Sequence, residues 1–455
     1  MNRISTVLVV SFLVVGASLA RCTAAERPNI LVILTDDQGR GDYSAFGTRD
    51  IHTPNIDRLF HEGMTFENFY ANSCVCSPSR AALLTGCYPD RVGVPGVIRD
   101  ETPDDSWGYL TPKAVLLPAR LKPAGYHCGM VGKWHLGTTS PCLPNERGFD
   151  LFDGFLGDMM DDYWTHLRHG INFMRHNLEV VEPKGHATDV FTEAACRYLK
   201  ERAEEKNRAT PFFLYLAYNA PHDPIQPPPD WLAKVKQREP QMSEKRAKLV
   251  ALIEHLDCGI GKVLDTLDQT GLARDTLIFF TSDNGGVLEN GANNGPWRSG
   301  KTHMYEGGLR VPGAARWPGH IKPASSTERL TLTMDLFPTA LEAAGAASVA
   351  DLDGISMLPT LLGQPSVDPR KNYYFVRREG GPAYGGLVID ALREGDWKLL
   401  QDSPFAPQEL YNLRDDPRET TDLAAKDRKT FRTLSANLRK HVQQGGQTPW
   451  QRPQE

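Results

Sequence analysis

Four short stretches, at residues 30–34, 127–131, 212–217 and 277–280, are apolar almost without interruption, and each runs straight into a polar cluster. Unbroken apolar runs of this length suit strands buried on both faces, not half-exposed strands that alternate. Helical stretches lie between them. Thr53 stands as a cap with Pro54 in the first turn and Gly63 as the stop, and residues 245–267 form a longer periodic helix ending before Gly271. Strands alternating with helices predict an α/β fold: a large, mostly parallel sheet sandwiched by helices. The proline-rich residues 221–229 read as a rigid loop. Past about residue 350 the pattern changes to short antiparallel strands at 373–376, 387–389, 397–400 and 409–411, then a polar helix near 429–443. The expected organisation is a leader over 1–25, a large domain over 26–350 and a C-terminal subdomain over 351–455 with a small antiparallel sheet plus helix.

The leader is set apart by its chemistry. Arg3 precedes an apolar run at residues 7–20, too short to span a bilayer but long enough for a signal peptide, and Thr23-Ala24-Ala25 offers a cleavage site. Arg21 ahead of Cys22 argues against a lipoprotein signal. Cleavage would remove Arg3 and Arg21 and take the formal charge from −5 to −7, leaving no membrane span. An exported protein is expected, periplasmic or secreted and of bacterial origin, although a lysosomal or secreted eukaryotic protein would carry a similar leader. With 51 Lys+Arg against 56 Asp+Glu and no long basic run, nucleic acid is excluded as a partner. Export permits disulfides, and Cys74 with Cys87 or Cys128 with Cys142 are spaced to pair, but the sequence does not decide.

The polar clusters carry the chemistry. Asp36 and Asp37 follow the first run, Lys133 and His135 the second, His222 the third, and Asp283 and Asn284 the fourth. In a parallel sheet these positions share the carboxyl edge, where α/β ligand sites form. Any one cluster reads equally well as a helix cap or Asx-turn. Four together, of unlike chemistry, point to a site. Three carboxylates packed together are costly unless a cation neutralises them, and an all-oxygen donor set selects Ca²⁺ or Mg²⁺ over zinc or copper. With Lys and His beside it, such a centre suits a tetrahedral oxyanion ester.

One further segment starts a helix: Cys76, with Pro78 in its first turn, Ala81, Ala82, Leu83 and Leu84 as strong formers and Gly86 as the stop. A helix N-terminus favours anions, so Cys76 there is either a low-pKa thiolate or a buried cysteine that merely begins a packing helix. Arg80 lies one turn on.

Cys76-Ser77-Pro78-Ser79-Arg80, followed by Leu83-Leu84-Thr85-Gly86, resembles the signature of type I sulfatases. Asp36-Asp37-Gln38-Gly39, Gly132-Lys133-Trp134-His135-Leu136-Gly137, Ser282-Asp283-Asn284-Gly285-Gly286, and Gly300-Lys301 ahead of Tyr305-Glu306-Gly307-Gly308 match that family in order. The resemblance runs from about residue 28 to about 425 and is closest to the arylsulfatase and N-acetylgalactosamine-6-sulfatase branch.

The resemblance implies an alkaline-phosphatase-like fold, with residues 26–350 as the sulfatase catalytic domain. It implies that a formylglycine-generating enzyme oxidises Cys76 to Cα-formylglycine, and that one Ca²⁺ is held by Asp36, Asp37, Asp283, Asn284 and residue 76. Arg80 would orient the hydrated aldehyde. Lys133, Lys301 and His222 would bind sulfate oxygens, with His222 or Lys301 protonating the leaving alcohol and His135 deprotonating the second hydroxyl. The expected activity is hydrolysis of a sulfate ester, aryl or, above all, carbohydrate. Two alternatives stand beside it: a phosphodiesterase or phosphonate monoester hydrolase on the same fold, and a non-catalytic sulfoglycan-binding protein. Three further expectations are local: His303 as a solvated loop residue ahead of a substrate contact, residues 158–164 as a sugar-binding stretch or ordinary packing, and Arg377-Arg378 as a surface pair ahead of a contact to a polyanionic substrate.

Overall fold

The structure, a computed structural model, describes residues 27–99 and 106–452; the leader expected over 1–25 lies outside the described residues. Ten strands form one sheet. In chain order these are β1 (Asn29–Thr35), β2 (Met64–Tyr70), β3 (His127–Lys133) and β4 (Leu151–Phe155), a two-strand side ribbon β5 (Leu167–Arg168) and β6 (Ile171–Asn172), then β7 (Met174–His176), β8 (Glu179–Val180), β9 (Phe212–Ala217), β10 (Thr276–Ser282), β11 (Gly313–Arg316) and β12 (Ser325–Leu332). The ten-stranded order is β12-β2-β11-β10-β1-β9-β3-β4-β7-β8. Its centre, β10-β1-β9-β3-β4, is parallel throughout. These central strands contain the four apolar runs. β1, β9 and β10 are buried along their whole length, which requires cover on both faces of the sheet.

Two helical groups supply the cover. α1 (Pro54–His61), α4 (Ala187–Ala203) and α5 (Pro229–Arg238) gather on the long α6 (Glu244–Gln269). α2 (Cys76–Thr85) and the short α3 (Leu117–Leu121) pack on α8 (Leu336–Ala343). Thr53 does occupy the cap position of α1, but its hydroxyl donates to Asp57 instead of accepting from the helix. The open amides of α1 are met from another element: Asp257 on α6 accepts from Asn55 N and Ile56 N.

The C-terminal segment forms a separate antiparallel sheet of β13 (Tyr373–Arg378), β14 (Val388–Glu394), β15 (Trp397–Gln401) and β16 (Glu409–Asn412), backed by α10 (Arg428–Gly445). Its apolar face shares a core with Tyr70, Val75, Ala82, Met304 and Leu309. α7 (Glu306–Leu309) and α9 (Leu358–Leu361) are single turns. Cys74, Cys87 and Cys128 are free thiols, so neither of the two cysteine pairings forms. No helix among the described residues is long and apolar enough to cross a membrane.

Candidate active site

Register brings the polar clusters together. Thr35 on β1 pairs with Ser282 on β10, Leu34 with Ala217 on β9, and Gly132 on β3 with Ala217, so four strands end nearly level. The residues immediately beyond them meet at one edge. Gly132, at φ 102°, is needed there, because a Cβ would drive into the carbonyl of Ala217 on the neighbouring strand. Trp134 is fully buried and its indole N–H donates to Cys142 O at 3.0 Å, which anchors the chain between Lys133 and His135. α2 points its first turn at the same edge, with Cys76 as its first residue and no side-chain cap of its own.

The candidates interlock. Lys133 Nζ lies 2.6 Å from Asp36 Oδ2, and Lys301 Nζ lies 2.7 Å from Asp37 Oδ2 and 3.0 Å from His222 Nε2. Arg80 donates from Nε and Nη2 to Asp283 Oδ2 at 3.1 and 2.7 Å, and its Nη2 is 3.3 Å from Asp36. Asn284 Nδ2 donates to Asp37 Oδ1 at 2.7 Å. The Cys76 thiol faces Asp36 Oδ1 at 3.5 Å and Asp37 Oδ1 at 4.0 Å. His135 places Nε2 3.1 Å from Ile98 O, while its Nδ1 is buried without a partner. Since a carbonyl only accepts, the proton sits on Nε2 and the Nδ1 lone pair is left open.

Burial raises the stakes for every charge in the cluster. It drives Asp36 upward, but Lys133, His222 and Arg80 outweigh it and hold the carboxyl well below the usual range. Asp283 goes the other way: burial, with Asp36 beside it, pushes it up to about 7. Burial, then Lys133 and Arg80, keep His135 neutral far below its ordinary value, and burial with Lys301 lowers His222. Lys301 shifts upward because Asp37 above all outweighs its desolvation. Burial pushes the Cys76 thiol well above the ordinary thiol range against the pull of Lys133 and Lys301, which favours the buried-cysteine reading over a low-pKa thiolate.

The oxygen donors of this cluster, from Asp36, Asp37, Asp283 and Asn284, suit a hard dication. Asp36, Asp37, Cys76 and His222 place one ligand atom each within 4.8 Å of the others. Asn284 Oδ1 is buried with no partner, and Asp283 approaches the same edge through its bond from Asp37 N. The formal charges of Asp36, Asp37 and Asp283 match those of Arg80, Lys133 and Lys301. A dication would leave the cluster two charges positive, which favours an anionic ester.

Neighbouring residues account for further features. The Tyr163 hydroxyl lies 2.9 Å from both Asn219 O and His222 O, and Gln226 Oε1 accepts from Tyr163 N, so this buried ring fixes the loop bearing His222. The Ile98 carbonyl that orients His135 belongs to a residue of no chemical distinction. In the stretch 158–164, Asp158 and Asp161 are both paired with Arg168, and the one large ring that stands open is Trp164, at 45% exposure. His303 is not simply solvated: its Nδ1 meets Asp402 at 2.6 Å. Arg377 and Arg378 are not a surface pair either. Both are buried, Arg377 against Glu379 and Arg378 between Asp90 and Asp390, because strand β13 turns its end into the body of the molecule.

The sulfatase family model matches residues 28–346. The chain belongs to the sulfatase family. A second model, described as N-sulphoglucosamine sulphohydrolase, C-terminal, matches residues 297–447. The N-acetylgalactosamine-6-sulfatase of Homo sapiens is 36% identical over 374 residues, 77% of this chain and 69% of that one. The steryl-sulfatase of Rattus norvegicus is 31% identical over 531 residues, 91% of this chain and 89% of that one. Among solved structures, that of Ps i-CgsB in complex with k-i-k-neocarrahexaose aligns with a TM-score of 0.84 at 31% identity, covering 94% of this chain and 95% of that one. This sulfatase is therefore a type I family member and an enzyme that hydrolyses sulfate esters on an alkaline-phosphatase-like fold.

Proposed function

We propose that this sulfatase removes sulfate from a sulfated carbohydrate by means of residue 76, matured from cysteine to Cα-formylglycine, beside a Ca²⁺ held by Asp36, Asp37, Asp283, Asn284 and residue 76. The observation that carries the reading is the position of Cys76: first residue of α2, fully enclosed, against Asp36 and Asp37 and inside a ring of cations. When bound, the cation supplies positive charge against the developing oxyanion, and the hydrated aldehyde supplies the attacking hydroxyl. Arg80, gripping Asp283 from two nitrogens, fixes the carboxylate side of the site and faces residue 76 from one helical turn away. Lys133 and Lys301, now paired with Asp36 and Asp37, would turn to sulfate oxygens were a cation to neutralise those carboxylates. His222 sits on Lys301 and with it can deliver a proton to the leaving alcohol. His135 Nδ1, open and unprotonated, takes the proton from the second hydroxyl as sulfate departs. Residues 26–350 are read as the catalytic domain and 351–455 as the subdomain that completes it, in a chain exported after cleavage of the leader.

The carbohydrate reading draws on the relatives, one named for N-acetylgalactosamine-6-sulfate and one solved with a neocarrahexaose. Parallel assays of the purified enzyme on aryl sulfate, aryl phosphate and aryl phosphonate esters, and on sulfated oligosaccharides, test it. Sulfate release dominates if the reading holds; faster phosphoester or phosphonate turnover would favour the related hydrolase. Exhaustive chelation, checked by metal analysis, and Asp37→Ala are each expected to remove activity. Full activity of the metal-free enzyme would overturn the metal assignment.

A further inference from the structure

We infer that Glu379, at the end of the C-terminal sheet, is a positioning residue that holds two separate loops of the active site in register, one bearing on His135 and the other on Lys301. The inference rests on the roles proposed above for those two groups. Glu379 has a fully buried side chain and reaches in two directions. Its Oε2 accepts from Arg99 Nη1 at 2.7 Å, and its Oε1 from Arg377 Nε at 3.1 Å.

The first arm ends at His135. Arg99 follows Ile98, whose N–H donates to Ser77 Oγ beside Cys76 and whose carbonyl holds His135 Nε2 at 3.1 Å. Fixing Arg99 therefore fixes the carbonyl that sets the tautomer and direction of His135. The second arm ends at Lys301. Arg377 Nη1 donates to Thr302 O at 3.0 Å, and Thr302 N donates to Cys74 O at 2.9 Å. Thr302 holds φ at +77°, a conformation a β-branched residue keeps only when its surroundings impose it. The two bonds to its backbone are such an imposition, and the next residue back is Lys301, which spans Asp37 and His222.

One carboxylate thus joins two segments that lie about two hundred residues apart, with no contact to the reacting groups themselves. Misplacement of about 1 Å in such a site can cost about a hundredfold in rate. The charge matters as well as the shape, because without it two guanidinium groups would face each other with their common partner gone.

The test uses Glu379→Gln in the full, matured enzyme with an aryl sulfate. Expected are a kcat lower by about ten- to a hundredfold, a KM changed by less than about threefold, and a largely retained melting temperature. Positioning predicts coupling: the same substitution should cost less in the residual activity of His135→Ala or Lys301→Ala than in the native background. Arg99→Gln and Arg377→Gln cut one arm each, so the first should couple only to His135→Ala and the second only to Lys301→Ala. They carry the test even if Glu379→Gln fails to fold. A folded Glu379→Gln enzyme with native kcat, or losses that multiply independently in every background, would overturn the inference. Failure of the underlying reading looks different: His135→Ala and Lys301→Ala would themselves retain activity.

Discussion

At the scale of single residues, every group expected from the sequence meets at the carboxyl edge. Asp36 and Asp37 face Cys76, Asp283 and Asn284 bond to Asp37, and Arg80, Lys133, Lys301 and His222 close on the carboxylates. Most were legible because they follow a buried strand or lie at the start of a helix, and because their types only make sense together; Lys301, in a loop, was legible only through the resemblance to the sulfatase family. What was illegible is what holds them. Tyr163 lay in a stretch read as a sugar contact or packing, and its actual work is to brace the carbonyls of Asn219 and His222. Ile98 contributes a backbone oxygen, which any residue type could supply. Tyr163→Phe keeps the ring and removes the brace. It is expected to lower kcat on an aryl sulfate by about tenfold through misplacement of His222, and to lower stability by about 1 kcal/mol for the lost hydrogen bond. Steady-state kinetics and urea unfolding of the two proteins check both.

At the scale of elements, the central strands were readable from unbroken apolarity, and α6 from its period. β2 and β12 were not read because their more open positions are polar and interrupt the pattern, and β11 because its four residues, Gly313–Arg316, are too few and mostly too small to signal a strand; they complete the sheet by pairing with one another. α4 also escaped the reading. Its cap is His186, an unusual choice for which the fold supplies the reason: Nδ1 accepts from Thr188 N at 3.2 Å while Nε2 donates to Gln226 O at 3.1 Å. That arrangement needs a neutral ring, and burial, then His255, push His186 from 6.5 down to about 4. A histidine lowered in the folded state contributes stability that is complete above the unfolded value. Acidification removes it, because the unfolded chain takes the proton first. The loss is expected between pH 6.5 and about 4 and amounts to at most about 3 kcal/mol. His186→Asn keeps a capping acceptor but does not titrate. Its thermal midpoint should fall less steeply than that of the native protein across this window; equal slopes would contradict the account.

At the scale of the whole molecule, the small C-terminal sheet was expected from its change of pattern, but its attachment was not. Lys398 on β15 is fully buried between Glu306 of α7, at 2.9 Å, and Glu419, at 2.8 Å, while Tyr70 donates to the same Glu306. Ionic contacts buried at an interface between two sheets have no signature in either segment alone. Lys398→Met should leave two enclosed carboxylates facing each other and cost about 3–5 kcal/mol, read as a lower urea midpoint. A shift below about 1 kcal/mol would mean that the apolar core alone holds the sheet in place. All three scales serve the chemistry assigned to residue 76, and that assignment is the central claim. The measurement that tests it most directly is the mass of the tryptic peptide over residues 59–80, taken from active enzyme purified from its own host. The account predicts that Cys76 is found as the aldehyde or its hydrate, in proportion to the specific activity. An unmodified thiol throughout a fully active preparation would contradict it.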